Sequence, residues 1–226
     1  MLETGRLFSP RMERRVRTLY RPDRLDPAAA VGMRASFLEL LSMPGRVAPV
    51  LRSMHELGVL RHLVPPFERL RCLKRYDLYH QYTADEHSLQ AVAALEDLEG
   101  ETGLLPRLYG EVAERTELVL ATLLHDIGKT CARGHDREGA RMAEAILEGF
   151  PLSVESRRTI VFLIRNHLLL SHFGQRRDMD DAETAARFVK RIRTSLNLKL
   201  LYLLTYADLR ATGVGVWTDW KASLLE

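Results

Sequence analysis

The sequence predicts an all-α protein, and two observations lead to that class. Residues that favour helices, namely Leu, Ala, Arg and Glu, dominate the 226-residue chain, and no segment alternates apolar and polar residues as a strand does. Proline and glycine divide the chain into segments of helical length. A chain of this size buries about 70% of its unfolded surface, so neither a disulfide nor a metal ion is needed merely for folding.

The leading helices follow from their start and stop signals. Asp26 is a suitable N-cap, and Pro27 suits the first position of a helix. Pro44-Gly45 interrupts the helical pattern, and Pro65-Pro66 ends the pattern that follows. These signals predict helices over about 27–43 and 46–63.

The next helix has the clearest start signal in the chain. Thr83, with Glu86 three residues later, fits a capping box, and the helix is predicted to run to about Leu98. Gly100 and Gly103 mark the loop after it. Further helices are predicted at about 106–124, 136–149, 153–170, 181–195, 197–211 and 217–226.

The composition excludes several classes of protein. Hydrophobic residues make up 46% and charged residues 28%, which is ordinary for a globular protein and excludes disorder and collagen-like repeats. Two cysteines exclude a secreted disulfide framework. No apolar run approaches the roughly 18 residues of a membrane span, and the N-terminus lacks the apolar stretch of a signal peptide. We therefore expect a cytoplasmic protein with no membrane partner.

Residues 1–26 form a basic arm in the sequence. The first 80 residues carry 15 Lys and Arg against 8 Asp and Glu, whereas the remainder carries a net charge of −4. Nucleic acid is disfavoured as a partner because few aromatic residues interleave with these cations. We expect a solvated arm or a contact with a neighbouring domain.

The His125-Asp126 pair is the sharpest chemical feature. It directly follows the apolar run over 118–124, so a buried helix delivers an imidazole and a carboxylate together. A buried unpaired carboxylate is costly, and a metal ion is one way to offset that cost. A His-Asp pair that caps the helix end is the other interpretation, and the dipeptide alone leaves both open.

Three more groups repeat this pattern of a polar side chain on an apolar helix face. Asp208 shares its face with Leu201, Leu204 and Thr205, and the other two are His87 and His167. Core polar groups satisfied by the protein itself are the alternative for all three. His135 lies in the loop after Lys129, where a second metal could be held; a surface histidine is the alternative there. Imidazoles with carboxylates suit divalent metals, and the scarcity of thiolates argues against a closed structural zinc site. His55 and His62 have no acidic companions in sequence, so we interpret them as surface or core polar groups.

Four segments together resemble a known family. They are DLYHQYTADEHSL (77–89), ATLLHDIGK (121–129), RNHLLLSHFGQRRDMDD (165–181) and LLYLLTYADLRATGVGVWTDWKASLL (200–225). In this order they resemble the HD metal-dependent phosphohydrolases, and most closely the HD domain of bifunctional PII uridylyltransferase/uridylyl-removing enzymes. The resemblance covers about residues 30–226. It departs at 130–134, TCARG, where the family tends to have a glycine-rich stretch ending in Asp.

The resemblance implies a fold and a ligand set. The fold is an HD-domain helical bundle with a helical N-terminal extension. We expect the arm at 1–26 and one helical HD domain over 27–226, with leading helices at 27–75 and a metal-site core at 76–226. Transferase and C-terminal regulatory domains are expected to be absent. By similarity, the metal ligands are His87, His125, Asp126, His135, His167 and Asp208.

The resemblance also implies an activity. It is the metal-dependent hydrolysis of a phosphodiester, which removes UMP from a tyrosine of uridylylated PII, with two divalent ions (Mn, Fe, Mg or Zn). Asp126 is the candidate bridging carboxylate. Lys129 is a candidate for neutralising a phosphate oxygen, and Arg176 and Arg177 for binding phosphate or nucleotide; a solvated lysine and an Arg–Asp network are the alternatives. Another nucleotide or cyclic dinucleotide substrate, or a non-catalytic metal- and nucleotide-binding module, stays open.

Overall fold

The computed structural model describes residues 8–19, 27–45, 47–73, 82–131, 134–174 and 182–213. Within these residues every regular element is a helix and no strand occurs, which confirms the all-α class. The leading helices are α1 (Pro10–Leu19), α2 (Pro27–Ser42), α3 (Val47–Glu56), α4 (Leu60–Leu63) and α5 (Pro65–Glu68). The later helices are α6 (Ala84–Glu96), α7 (Leu104–Glu111), α8 (Arg115–Leu124), a 3₁₀ turn (Ile127–Thr130), α9 (His135–Leu147), α10 (Val154–Asn166), α11 (Leu169–Gly174), α12 (Ala182–Ile192) and α13 (Ser195–Thr212).

Three predicted helices prove to be interrupted. The helix predicted over 46–63 breaks at Gly58, whose φ of 76° is a left-handed conformation that glycine adopts without strain. Pro65 and Pro66 open the short helix α5, since proline is tolerated in a first helical turn. An extended residue, Val112, separates α7 from α8. The predicted helix at 153–170 divides into α10 and α11, and the one at 217–226 lies outside the described residues.

The prediction of a capping box at the start of α6 is only partly confirmed. Thr83 is the N-cap, as predicted, but its side chain makes no capping hydrogen bond. Glu86 does not turn back to the N-cap; its carboxylate accepts from Arg52 on α3, with Nη2 to Oε1 at 2.7 Å. The carboxylate is therefore used for a tertiary contact between helices.

Helix α8 lies at the centre of the bundle. Residues 118–124 are all buried, and α8 contacts α2, α6, α10 and α13. Helix α13 packs along α6, and its residues 200–207 are all buried. Buried apolar side chains from α2 to α13 belong to one cluster. His125 and Asp126, which follow α8 directly, are therefore held inside the protein rather than at its surface.

Three polar contacts, which we call the α3–α6 clamp, join α3 to α6. Besides Arg52–Glu86, His55 Nε2 lies 2.9 Å from Asp85 Oδ2, and both residues are buried. At the other end of α6, the Glu96 carboxylate accepts from the first two backbone amides of α3. The expectation that His55 lacks an acidic companion is therefore wrong, because its partner lies 30 residues away in the chain.

None of the helices in the described part of the chain has the length and apolar character of a membrane span.

Candidate metal centre

His125 and Asp126 stand where the buried helix α8 ends. His125 is the C-cap residue, and its Nδ1 lies 2.7 Å from the carbonyl oxygen of Thr122, one of the carbonyls that a helix end leaves unsatisfied. Donation from Nδ1 to this carbonyl leaves Nε2 as the nitrogen that faces the site. The capping and metal-binding interpretations are thus compatible, because each uses a different ring nitrogen.

His167 repeats this arrangement at the end of α10. It is again the C-cap residue, and its Nδ1 lies 2.7 Å from the carbonyl oxygen of Ile164. Its Nε2 is buried and has no hydrogen-bond partner among the described residues. Burial, together with the neighbouring His125, lowers the pKa of His167 to about 4, so the ring is neutral at pH 7. A neutral imidazole with a buried, unpartnered nitrogen suits a metal ligand.

A first cluster forms where α6, α8 and α13 meet. His87 Nε2 lies 3.3 Å from His125 Nε2 and 3.0 Å from Asp208 Oδ1. His125 Nε2 lies 3.1 Å from Asp126 Oδ2 and 3.6 Å from Asp208 Oδ1. The ligand atoms of His87, His125 and Asp126 all lie within 4.8 Å of one another. Two nitrogens and two carboxylates therefore converge on one small volume.

A second cluster shares Asp126 with the first. Asp126 Oδ1 lies 3.9 Å from His135 Nε2 and 3.9 Å from His167 Nε2. These three ligand atoms also lie within 4.8 Å of one another. The carboxylate thus presents Oδ2 to one group of imidazoles and Oδ1 to the other, which is the placement that a bridging ligand needs.

The start of α9 reaches this site because Gly128 has no side chain. A Cβ built on Gly128 would lie 2.0 Å from the carbonyl oxygen of His135 and 2.6 Å from the amide nitrogen of Gly139. The 3₁₀ turn therefore touches the backbone of α9 directly. This close approach brings His135 to Asp126, and it gives the glycine of the LLHDIGK segment a physical role.

Charge at the site is balanced by cations around the two buried carboxylates. Burial alone would raise the pKa of Asp126, but His125 and Lys129 hold it well below its usual range. The carboxyl of Asp208 is held low by His125 and His87 in the same way. Burial alone would lower the pKa of His125, yet Asp126 and Asp208 outweigh burial and raise it to about 10. A bound metal cation would replace the proton on His125 as the counter-charge to the two carboxylates.

Five of the six predicted metal ligands form these two groups, and the sixth, Asp208, lies beside the first with Oδ1 3.0 Å from His87 Nε2. Lys129 also lies at the site, with Nζ 2.5 Å from Asp126 Oδ2. Arg176 and Arg177 lie outside the described residues. His172, which we did not predict as a ligand, is exposed. The roles of all these residues remain predictions.

Two backbone carbonyl groups, those of Thr122 and Ile164, orient the imidazoles of His125 and His167 and were not predicted from the sequence. A signal for them exists in the chain. Both histidines follow an apolar helical run, and the carbonyl three residues back from a helix end is commonly unsatisfied. A histidine at a buried helix C-terminus is therefore oriented by its own helix.

Comparison with known proteins identifies the domain that carries these clusters. Residues 84–193 match the family model described as the HD domain. The chain contains an HD domain. Five of the six predicted ligands lie within that match, whereas Asp208 comes after it. HD domains bind divalent metals, and the two clusters of this chain can hold such an ion.

Relatives that contain this HD domain are much longer than the chain. It is 38% identical over 194 residues to the bifunctional uridylyltransferase/uridylyl-removing enzyme of Cereibacter sphaeroides, which is 84% of this chain and 21% of the relative. The enzyme of the same name from Azospirillum brasilense is 40% identical over 84% of this chain and 21% of the relative. The one from Novosphingobium aromaticivorans is 39% identical over 89% of this chain and 23% of the relative. The chain thus spans about a fifth of the length of these relatives.

Proposed function

We propose that this HD domain is a metal-dependent phosphodiesterase that removes uridylyl groups from a protein. The observation that carries the proposal is the shared position of Asp126, whose two oxygens face two separate groups of imidazoles. Two-metal phosphoesterases need a carboxylate of this kind. The uridylyl-removing activity in the name of the relatives supports the substrate class.

The ligand sets divide between the two clusters. His87 and His125 face Oδ2 of Asp126 and also contact Asp208, whereas His135 and His167 face Oδ1 of Asp126. We propose two divalent ions, chosen among Mn, Fe, Mg and Zn by availability. When bound, such ions lower the pKa of water toward about 7 and offset negative charge at phosphorus. The neutral His167 needs no deprotonation before it can ligate.

Lys129 is the protein's own cation at this site. Its ammonium group lies against Asp126, and its side chain is only 10% exposed. It follows the His125-Asp126 pair by one short turn and is held there by the 3₁₀ turn. We propose that it binds a non-bridging phosphate oxygen and stabilises the charge that develops on it during hydrolysis.

The proposed substrate is uridylylated PII, as the family resemblance implies. Hydrolysis adds water across the bond between phosphorus and the tyrosine oxygen, giving UMP and unmodified tyrosine. A tyrosine phenolate has a pKa of about 10, so it leaves more readily than an alkoxide. We therefore assign no general acid to it. The cytoplasmic location and the absence of a nucleic-acid partner stay predictions.

The test is release of UMP from uridylylated PII by this chain. We expect release in the presence of Mn²⁺ and none after treatment with a chelator. Asp126→Ala should abolish it, because both clusters lose their shared ligand. Asp97→Ala is the matched control, since Asp97 is exposed on the C-cap of α6 and belongs to neither cluster.

Failure would take a recognisable form. Metal analysis of the purified chain shows first whether the clusters are loaded. A loaded chain that releases no UMP would refute the uridylyl-removing assignment. Hydrolysis of a nucleotide or cyclic dinucleotide by that same chain would then support the second enzyme interpretation, and loss of all turnover would support a binding module.

A further inference from the structure

A basic groove runs along the side of the HD domain, between α9, α10 and α12. Its volume is about 630 Å³. Among the residues that the structure describes, six cationic side chains line it, against two carboxylates, Glu144 and Glu148. The cations are Arg157, Arg158, Arg165, Lys190, Arg191 and Arg193. We call this feature the α10–α12 groove.

The cations of the α10–α12 groove are not used in ion pairs within the described part of the chain. Exposed arginines elsewhere on the same helices behave differently. Arg187 on α12 pairs with Glu183 of its own helix, and Arg141 on α9 pairs with Glu138. Within the groove, the guanidinium of Arg191 donates to Asn166 Oδ1 at 2.6 Å, an uncharged acceptor. The positive charge is therefore left available for an external anion.

The groove continues toward the start of α9. A second cavity of about 430 Å³ shares Arg165, Asn166 and Arg191 with it and extends to Asp136. Asn166 precedes the ligand His167 in the chain, and Asp136 follows the ligand His135. A molecule that lies along the groove would therefore contact residues that are chain neighbours of two predicted ligands of the second cluster.

The chemistry of the lining favours a protein partner over nucleic acid. Five of the six cations are arginines, and exposed Val154 and half-buried Phe162 lie among them. Arginine and apolar side chains are enriched in protein interfaces, whereas lysine is depleted. Single-stranded nucleic acid needs successive aromatic platforms, and Phe162 is the one aromatic residue among the described residues of this lining.

We propose that the α10–α12 groove docks an acidic segment of the uridylylated protein, next to the bond that is hydrolysed. This inference rests on the proposed function, because it assigns the protein substrate to a surface of the same domain. Charge complementarity at such a surface speeds association and favours the correct partner.

The test reverses two groove charges and compares binding with turnover. The variant is Arg158→Glu with Lys190→Glu; both residues are exposed, one on α10 and one on α12. The matched control is Arg141→Glu with Arg187→Glu, which changes the net charge equally on α9 and α12 outside the groove. Binding of uridylylated PII is measured by biolayer interferometry in an Asp126→Ala background, where no hydrolysis occurs.

Turnover is measured separately in the active chain, with uridylylated PII and with the small diester uridine 5′-(4-nitrophenyl phosphate). We expect the groove variant to weaken PII binding and to lower kcat/KM on PII by about tenfold or more at low salt. Turnover of the small diester should change less than about twofold, since this substrate has no acidic segment to dock. The control variant should resemble the unmodified chain.

Several results would overturn the proposal. The first is unchanged PII binding in the groove variant. The second is an equal fall in kcat/KM on PII and on the small diester in that variant. The third is a fall in PII binding or turnover in the control variant that equals the fall in the groove variant. Groove-dependent binding of a single-stranded RNA 15-mer that PII does not displace would replace the protein partner with nucleic acid. Binding that depends on the groove without any UMP release would support the docking surface and refute the proposed function, so the two failures are distinguishable.

Discussion

The closest backbone approach at the metal centre gives a sharp prediction, which is the effect of Gly128→Ala. The added Cβ would lie 2.0 Å from the carbonyl oxygen of His135, whereas ordinary contact begins at about 3.4 Å. The clashing atoms belong to the backbone and cannot rotate away. Helix α9 must therefore retreat from the 3₁₀ turn by about 1.4 Å, the difference between these two distances.

This displacement acts on the second cluster, because His135 is the first residue of α9. Metal–ligand distances tolerate only about 0.2 Å of error, so His135 should no longer share a metal with Asp126. Overpacking of this kind costs about 1–3 kcal/mol. At roughly 2–4 °C per kcal/mol for a domain of this size, we expect a clear fall in Tm.

The assay combines metal analysis with thermal denaturation. We expect the metal content of Gly128→Ala to fall by about one ion per chain, with the first cluster still loaded. Gly110→Ala on α7 is the control, because a Cβ there meets nothing within 4 Å. A Gly128→Ala chain with unchanged Tm and full metal content would refute the argument that this glycine holds α9 against the site.

Three further predictions follow from single side chains. Lys129→Met should lower kcat for UMP release by about 10²-fold while metal analysis shows unchanged loading. Burial tends to raise the pKa of Asp85, but the hydrogen bond with His55 holds this pKa below its ordinary value. The ionised Asp85 carboxylate therefore stabilises the fold above about pH 4, and this contribution is lost as the pH falls through the lowered pKa. Asp85→Asn should flatten that acid-side fall in Tm, which denaturation scans between about pH 5 and 2 measure. Glu96→Ala should cost about 1–2 kcal/mol in urea denaturation, because the first amides of α3 lose their acceptor.

The parts of the site that lie on strongly apolar helices could be predicted from the chain alone. Asp208 is an example: its helical neighbours are apolar, so the periodicity of α13 directs its carboxylate inward, and the structure places it 3.0 Å from His87. His125 and Asp126 follow from the same reasoning at the end of α8. Burial of a polar group is visible in sequence whenever its whole helix face is apolar.

The parts that depend on contacts between distant segments could not be predicted. His55 and Asp85 each sit in an unremarkable local context, and only the packing of α3 on α6 makes them a buried pair. The cations of the α10–α12 groove are similarly spread over two helices that are separate in the chain. The predicted ends of helices were wrong at Gly58 and Val112 because each of these residues can continue or end a helix depending on its tertiary contacts.

The α3–α6 clamp has a consequence for anyone who dissects this chain. The family match begins at residue 84, yet Asp85, Glu86 and Glu96 within the match all find their partners on α3. A fragment cut at residue 84 would remove the α3 hydrogen-bond partners of all three carboxylates and uncover an apolar side of α6. The boundary at which a family's sequences become recognisable is thus not the boundary of a folding unit, and a soluble fragment should start upstream of Val47.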